Sequence, residues 1–80
     1  MRIGEAVKIR ILNICEVRNL TINRLGTISG VTQSTINNIV NGRNNSATVS
    51  TIKKLCDGLD MTIIEFFDNE IFKSLEQEIR

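Results

Sequence analysis

Apolar residues recur every three or four positions through most of this chain, the spacing of helices that each bury one side. Val7, Ile11, Ile14 and Cys15 form the first stripe, on a helix expected from about Gly4 to Arg18 and ended by Asn19-Leu20. Thr21 suits an N-cap, since its hydroxyl can accept from an otherwise orphaned backbone N–H. Ile22, Leu25 and Ile28 give a second helix its buried side, and Ser29-Gly30 ends it. Thr32 opens a third helix with Ile36, Ile39 and Val40 inward, stopped at Asn41-Gly42. After the polar loop Arg43-Asn44-Asn45-Ser46, Thr48 caps a fourth helix burying Ile52, Leu55 and Cys56, with Gly58 expected as its C-cap.

Thr62 and Glu65 have capping-box spacing and open a short fifth helix carrying Ile63, Ile64, Phe66 and Phe67. From Asn69 to Arg80 the apolar residues Ile71, Phe72, Leu75 and Ile79 make a narrower stripe, read as an amphipathic helical tail. There is no proline, no strand alternation and no internal repeat. The pattern predicts an all-α fold: a compact five-helix domain over residues 1–68 and a helical tail over 69–80.

Two of these helices carry chemistry. The second and third are joined by the tight turn Ser29-Gly30-Val31, the layout of a helix-turn-helix, in which the second helix enters the major groove of DNA. Plotted at about 100° per residue, the third helix places Gln33, Ser34, Asn37, Asn38 and Asn41 opposite its buried arc. All are neutral hydrogen-bonding residues. An ordinary solvated face would favour Lys and Glu, which are better helix formers than Asn and Ser. Amides and hydroxyls are what base edges require, because Asn or Gln pairs bidentately with adenine and Ser or Thr donates or accepts. Phosphates would be held by Thr21, Asn23 and Arg24 at the start of the second helix, where free N–H groups favour an anion, and by Arg43, Asn44 and Asn45 after the third.

Charge distribution strengthens this reading. The net charge is only +1, yet no acid occurs from Val17 to Cys56, a stretch holding Arg18, Arg24, Arg43, Lys53 and Lys54. Seven acids crowd into Asp57–Arg80 against Lys73 and Arg80. A long carboxylate-free segment suits a polyanion, since each acid there would repel phosphate.

Composition excludes other classes. Eighty residues make one domain with little room for a pocket. With no histidine, no tyrosine, no glycine-rich phosphate loop and no Cys-x-x-Cys pair, neither an enzyme nor a zinc site is expected, and no cofactor is. Cys15 and Cys56 read as small buried hydrophobes rather than a redox pair. No apolar run approaches the roughly 18 residues of a membrane span. The start, Met1-Arg2-Ile3-Gly4-Glu5, lacks the apolar core of a secretory signal, so a cytoplasmic location is expected.

The run Leu20-Thr21-Ile22-Asn23-Arg24-Leu25-Gly26-Thr27-Ile28-Ser29-Gly30-Val31-Thr32-Gln33-Ser34-Thr35-Ile36-Asn37-Asn38-Ile39-Val40-Asn41-Gly42 resembles the Cro/C1-type helix-turn-helix family of bacterial and phage repressors, also called the XRE or lambda repressor-like family. The resemblance continues through Ile52-Lys53-Lys54-Leu55-Cys56-Asp57-Gly58-Leu59 and Ile63-Ile64-Glu65-Phe66-Phe67, covering about residues 4–68 without a gap. It is specific for the family and unspecific for the operator. It implies a five-helix domain that binds double-stranded DNA, often as a homodimer on a palindromic operator, and regulates transcription, usually as a repressor on the bacterial nucleoid. Base contacts are implied at Thr32, Gln33, Ser34, Asn37 and Asn38. Backbone contacts are implied at Asn41, Arg43 and the start of the second helix, and Thr35 joins the backbone set. Three positions depart from the pattern. Ile22 stands where the family often has glutamine, Gly26 replaces the usual alanine, and the loop after Arg43 lacks the frequent proline.

The competing function is a protein-interaction module, such as the DNA-binding antitoxin partner of a second protein. A protein-binding face should expose aromatic or aliphatic anchors, and the third helix offers none. The acidic tail is the better candidate for a protein partner. Its stripe either packs within the chain, on Ile9 and Leu12 of the first helix, or builds a subunit interface.

Overall fold

The computed structural model describes residues 1–41 and 47–79. Five α-helices run in order: α1 (Ile3–Arg18), α2 (Ile22–Ser29), α3 (Gln33–Val40), α4 (Val49–Gly58) and α5 (Ile63–Phe67). A single 3₁₀ turn, Glu70–Phe72, follows. The all-helical, five-helix architecture is the one the periodicity predicts.

Four of the helices begin the same way. The hydroxyls of Thr21, Thr32, Thr48 and Thr62 accept from the backbone N–H of Arg24, Thr35, Thr51 and Glu65. Each satisfies one of the donors that a helix start leaves without a partner. At α5 the box is complete, because the Glu65 carboxylate also accepts from the Thr62 N–H at 2.8 Å. That backbone bond, then the threonine side chain, holds the Glu65 carboxyl below its ordinary pKa.

Helix ends differ from the expectation at one glycine. Gly30 takes φ 68°, the left-handed conformation that ends α2, and the Val31 N–H closes back on the Gly26 carbonyl at 3.1 Å. Gly58 does not serve as a cap. It is the last helical residue of α4, Leu59 follows as the cap, and Asp60 takes the positive φ of 55°. The reason is packing: a Cβ on Gly58 would lie 2.8 Å from both Cα and Cβ of Ser29. Gly58 is a point of close approach between α4 and the end of α2.

The core joins Val7, Ile11, Ile14 and Cys15 of α1, Leu25 and Val31 around α2, Ile36 and Ile39 of α3, Ile52, Leu55 and Cys56 of α4, then Leu59 and Phe66. Ile22, Ile28 and Val40 are partly buried against it. α2 packs on α3 and α4, α1 packs on α3, and α5 packs on α4. Both cysteines are free and buried, and burial pushes their thiols above the ordinary range, as small core hydrophobes should behave. Among the described residues, no buried side-chain nitrogen or oxygen lacks a hydrogen-bond partner.

Two arginines of α1 reach across to helix ends. Arg10 donates to the Phe66 carbonyl at 2.7 Å and the Glu65 carbonyl at 2.9 Å. Arg18 donates to the Leu59 carbonyl. These guanidiniums add donors at the C-terminal ends of α5 and α4, where helix carbonyls run short of them. Arg18, one of the five bases in the carboxylate-free stretch, therefore has a structural occupation.

The expected amphipathic helix over 69–80 does not form. Among the described residues its only regular piece is the turn at Glu70–Phe72, and the chain continues through residue 79 without a helix. Phe72 joins Phe66 and Phe67, with ring centroids 6.3 and 4.8 Å away. The chain then crosses to its own start. The Glu76 N–H donates to the Met1 carbonyl at 3.0 Å, Glu76 pairs with the Met1 ammonium at 3.4 Å, and Arg2 pairs with Glu78 at 2.9 Å. The tail is held within the chain: its Glu70–Phe72 turn packs on α1 and residues 76–78 tie to the N-terminus, while Ile9 and Leu12 stay 38% and 39% exposed. A helix would place 70–79 along one axis and forgo these pins. An isolated segment this short gains little from helix formation alone, so tertiary contacts decide its path.

Candidate nucleic-acid interface

Residues Ile22 to Val40 build the interface from two eight-residue helices and a turn. Leu25 and Gly26 bury the inner side of α2, Ile36 and Ile39 bury that of α3, and Val31 plugs the turn between them. With four aliphatic anchors fixed in the core, the opposite face of α3 has no freedom to rotate inward.

That face is uncharged and open. Gln33, Ser34, Asn37, Asn38 and Asn41 are all exposed, as the angular plot places them. Among the described residues, no partner competes for the carboxamides of Asn37 and Asn38. Thr32 is exposed too, but its hydroxyl is occupied. It accepts from the Thr35 N–H at 3.2 Å and donates to the Thr35 hydroxyl at 2.9 Å. Thr32 is thus foremost the cap that starts α3. Thr35, half-buried beside it, accepts that bond and donates its hydroxyl to no described residue.

At the start of α2, Thr21, Asn23 and Arg24 are exposed together. The Thr21 oxygen accepts from the Arg24 N–H at 3.0 Å, leaving the threonine proton available to an anion. The Asn23 carbonyl accepts from the Thr27 hydroxyl at 3.1 Å and from the Gln33 carboxamide at 3.2 Å. This last bond links the two helices across the polar face, and helical periodicity alone carries no sign of it. Asn41 ends α3 in right-handed backbone geometry, its N–H returned to the Asn37 carbonyl at 2.9 Å. Arg43, Asn44 and Asn45 lie outside the described residues.

The cations of the basic stretch divide. Lys53 pairs with Asp57 one turn along α4, and Arg18 is engaged at Leu59. Among the described residues, Arg24 and Lys54 enter no ion pair and are exposed. Lysine and arginine without a carboxylate partner keep their full attraction for a phosphate chain.

No three acids, histidines or cysteines of the described residues come together as a metal site, and no described helix is long and apolar enough to cross a membrane.

Comparison with known proteins agrees with this arrangement. A helix-turn-helix family model matches residues 13–66, which contain α2, the turn and α3 whole. No curated protein matches the chain. Among solved structures, the crystal structure of the prophage Lp1 protein 11 superposes with a TM-score of 0.82 at 36% sequence identity, over 94% of this chain and 100% of that one.

Proposed function

From its membership of the Cro/C1-type helix-turn-helix family of DNA-binding transcription regulators, we propose that this chain is a repressor that reads the major groove with α3. The observation that supports it is the exposed, wholly neutral face of Gln33, Ser34, Asn37 and Asn38 on a helix pinned by Ile36 and Ile39. Direct readout needs amides presented to base edges by a fixed helix, and this face offers three. Gln33, Ser34, Asn37 and Asn38 take the bases, with Thr32 setting the start of the helix beside them. Thr21, Asn23, Arg24, Thr35 and Asn41 take the phosphates, together with Arg43, Asn44 and Asn45. Phosphate contacts fix register, and base contacts choose sequence.

The chain works as a homodimer on a palindromic operator, which doubles the site read by one short helix. Apolar surface for a second subunit exists away from α2 and α3. Ile64 is 80% exposed beside half-buried Ile63 and Phe67, at the edge of a groove between α4 and α5. The same surface favours the second reading, a module that also binds another protein. The acidic tail supports that reading less, because Glu76 and Glu78 already pair with Met1 and Arg2.

Selection from random duplex DNA at physiological salt tests the proposal. The expected product is an inverted repeat with half-site centres about one helical turn apart. Gln33→Ala should cost about 1–3 kcal/mol at one base position and relax the choice there. Arg24→Ala should weaken binding to every sequence and lower the salt slope by about one unit. No enrichment, or an unchanged preference in Gln33→Ala, rejects α3 as the reader.

A further inference from the structure

Gly26 sits in the interior of α2, where alanine would serve helix stability better. It is buried, and its surroundings are asymmetric. A Cβ there would strike the Gln33 Nε2 first, then stand 3.0 Å from the Val31 carbonyl oxygen and 3.3 Å from Ile36 Cδ1. The last two belong to packed structure: Val31 forms the turn, and Ile36 is 1% exposed. The first is the far end of a flexible, exposed side chain. The bare α-carbon of Gly26 is therefore the floor on which the Gln33 carboxamide lies.

The amide is also held from the side. One Nε2 proton goes to the Asn23 carbonyl at 3.2 Å, one turn before Gly26 on the same helix. With that proton spent, the amide plane is oriented, and the second Nε2 proton and Oε1 remain to bind. An adenine edge needs one donor and one acceptor from a single amide. A side chain already oriented gives up less rotamer freedom on binding than a free one.

We infer that Gly26 is a specificity-positioning residue, whose missing side chain seats the Gln33 carboxamide in the orientation that reads a base. This rests on the DNA-reading function proposed above. Gly26 touches no base and acts only through Gln33.

The test is a pair of measurements on the full chain. In the free protein, nuclear Overhauser contacts between the Gln33 Nε2 protons and the Gly26 α-protons are expected, and Gly26→Ala should abolish them. The variant should still fold, because moving Gln33 relieves its worst clash. In DNA selection, Gly26→Ala should lose roughly tenfold discrimination at one base pair per half-site, the same position and size as Gln33→Ala. The double variant should lose no more than either alone. Additive losses, or a Gly26→Ala protein with its preference intact, overturn the inference. So does absence of the contact in a wild type that selects sequence, which would leave α3 as the reader. A wild type that selects no sequence overturns the underlying reading instead.

Discussion

The α2–α3 unit and the C-terminal tail both carry apolar residues at helical spacing, yet only the first is helical. The difference lies in what holds each. α2 and α3 have threonine caps at both starts, a left-handed glycine between them and four anchors inside the core. The tail buries no residue fully after Phe66, and its pins are exposed ion pairs, one backbone hydrogen bond and one aromatic cluster. Periodicity becomes a helix where capping and burial act together. Where burial is partial, other contacts take the chain.

The sharpest way to break this comparison is to remove an anchor from each region. Ile36→Ala should cost about 2–5 kcal/mol, as a core truncation does, and should release the exposed neutral face of α3 with it. Phe72→Ala, half-buried, should cost on the order of 1–2 kcal/mol and leave DNA binding intact. Urea unfolding of both variants measures the contrast. Equal costs would mean that the tail belongs to the core.

A smaller effect should separate the capped elements from the tail. Thr62→Ala should cost about 1 kcal/mol through loss of the box that starts α5. The pH dependence has a definite sign. Glu65 has a lowered pKa in the folded state, so its contribution is present above the ordinary carboxylate pKa and is lost as pH falls through the folded value. Thermal melts from neutral to acid pH should show a decline that Thr62→Ala shrinks.

The smallest effect belongs to the tail's charges. Glu76→Gln with Glu78→Gln should lower the melting midpoint only slightly at low salt, and the difference should vanish in high salt, because exposed pairs are screened. A salt-independent loss would show that the tail ties are structural and not merely electrostatic.

Much of the recognition unit is legible in the residues. Thr21, Thr32, Thr48 and Thr62 announce four helix starts through local chemistry, and Gly30 announces its turn because left-handed backbone suits glycine. The exposed arc of Gln33, Ser34, Asn37 and Asn38 follows from angle alone. Gly58 misleads: a glycine near a helix end resembles a cap, but here it admits α2 at a crossing that local pattern cannot register. The basic stretch is half-legible. Its count of cations is plain, and so is the one-turn spacing of Lys53 and Asp57, yet only folding shows that Arg18 serves Leu59, while Arg24 and Lys54 enter no ion pair among the described residues.

Sequence by itself determined the five helices, their inward faces and the neutral character of α3, since these depend on residues within one or two turns of each other. Tertiary structure alone decided the rest: the path of the tail to Met1 and Arg2, the arginine bonds from α1 to the ends of α4 and α5, and the seat of Gln33 on Gly26. Each joins residues on different elements, where the free energy comes from close approach in space and no local spacing encodes it.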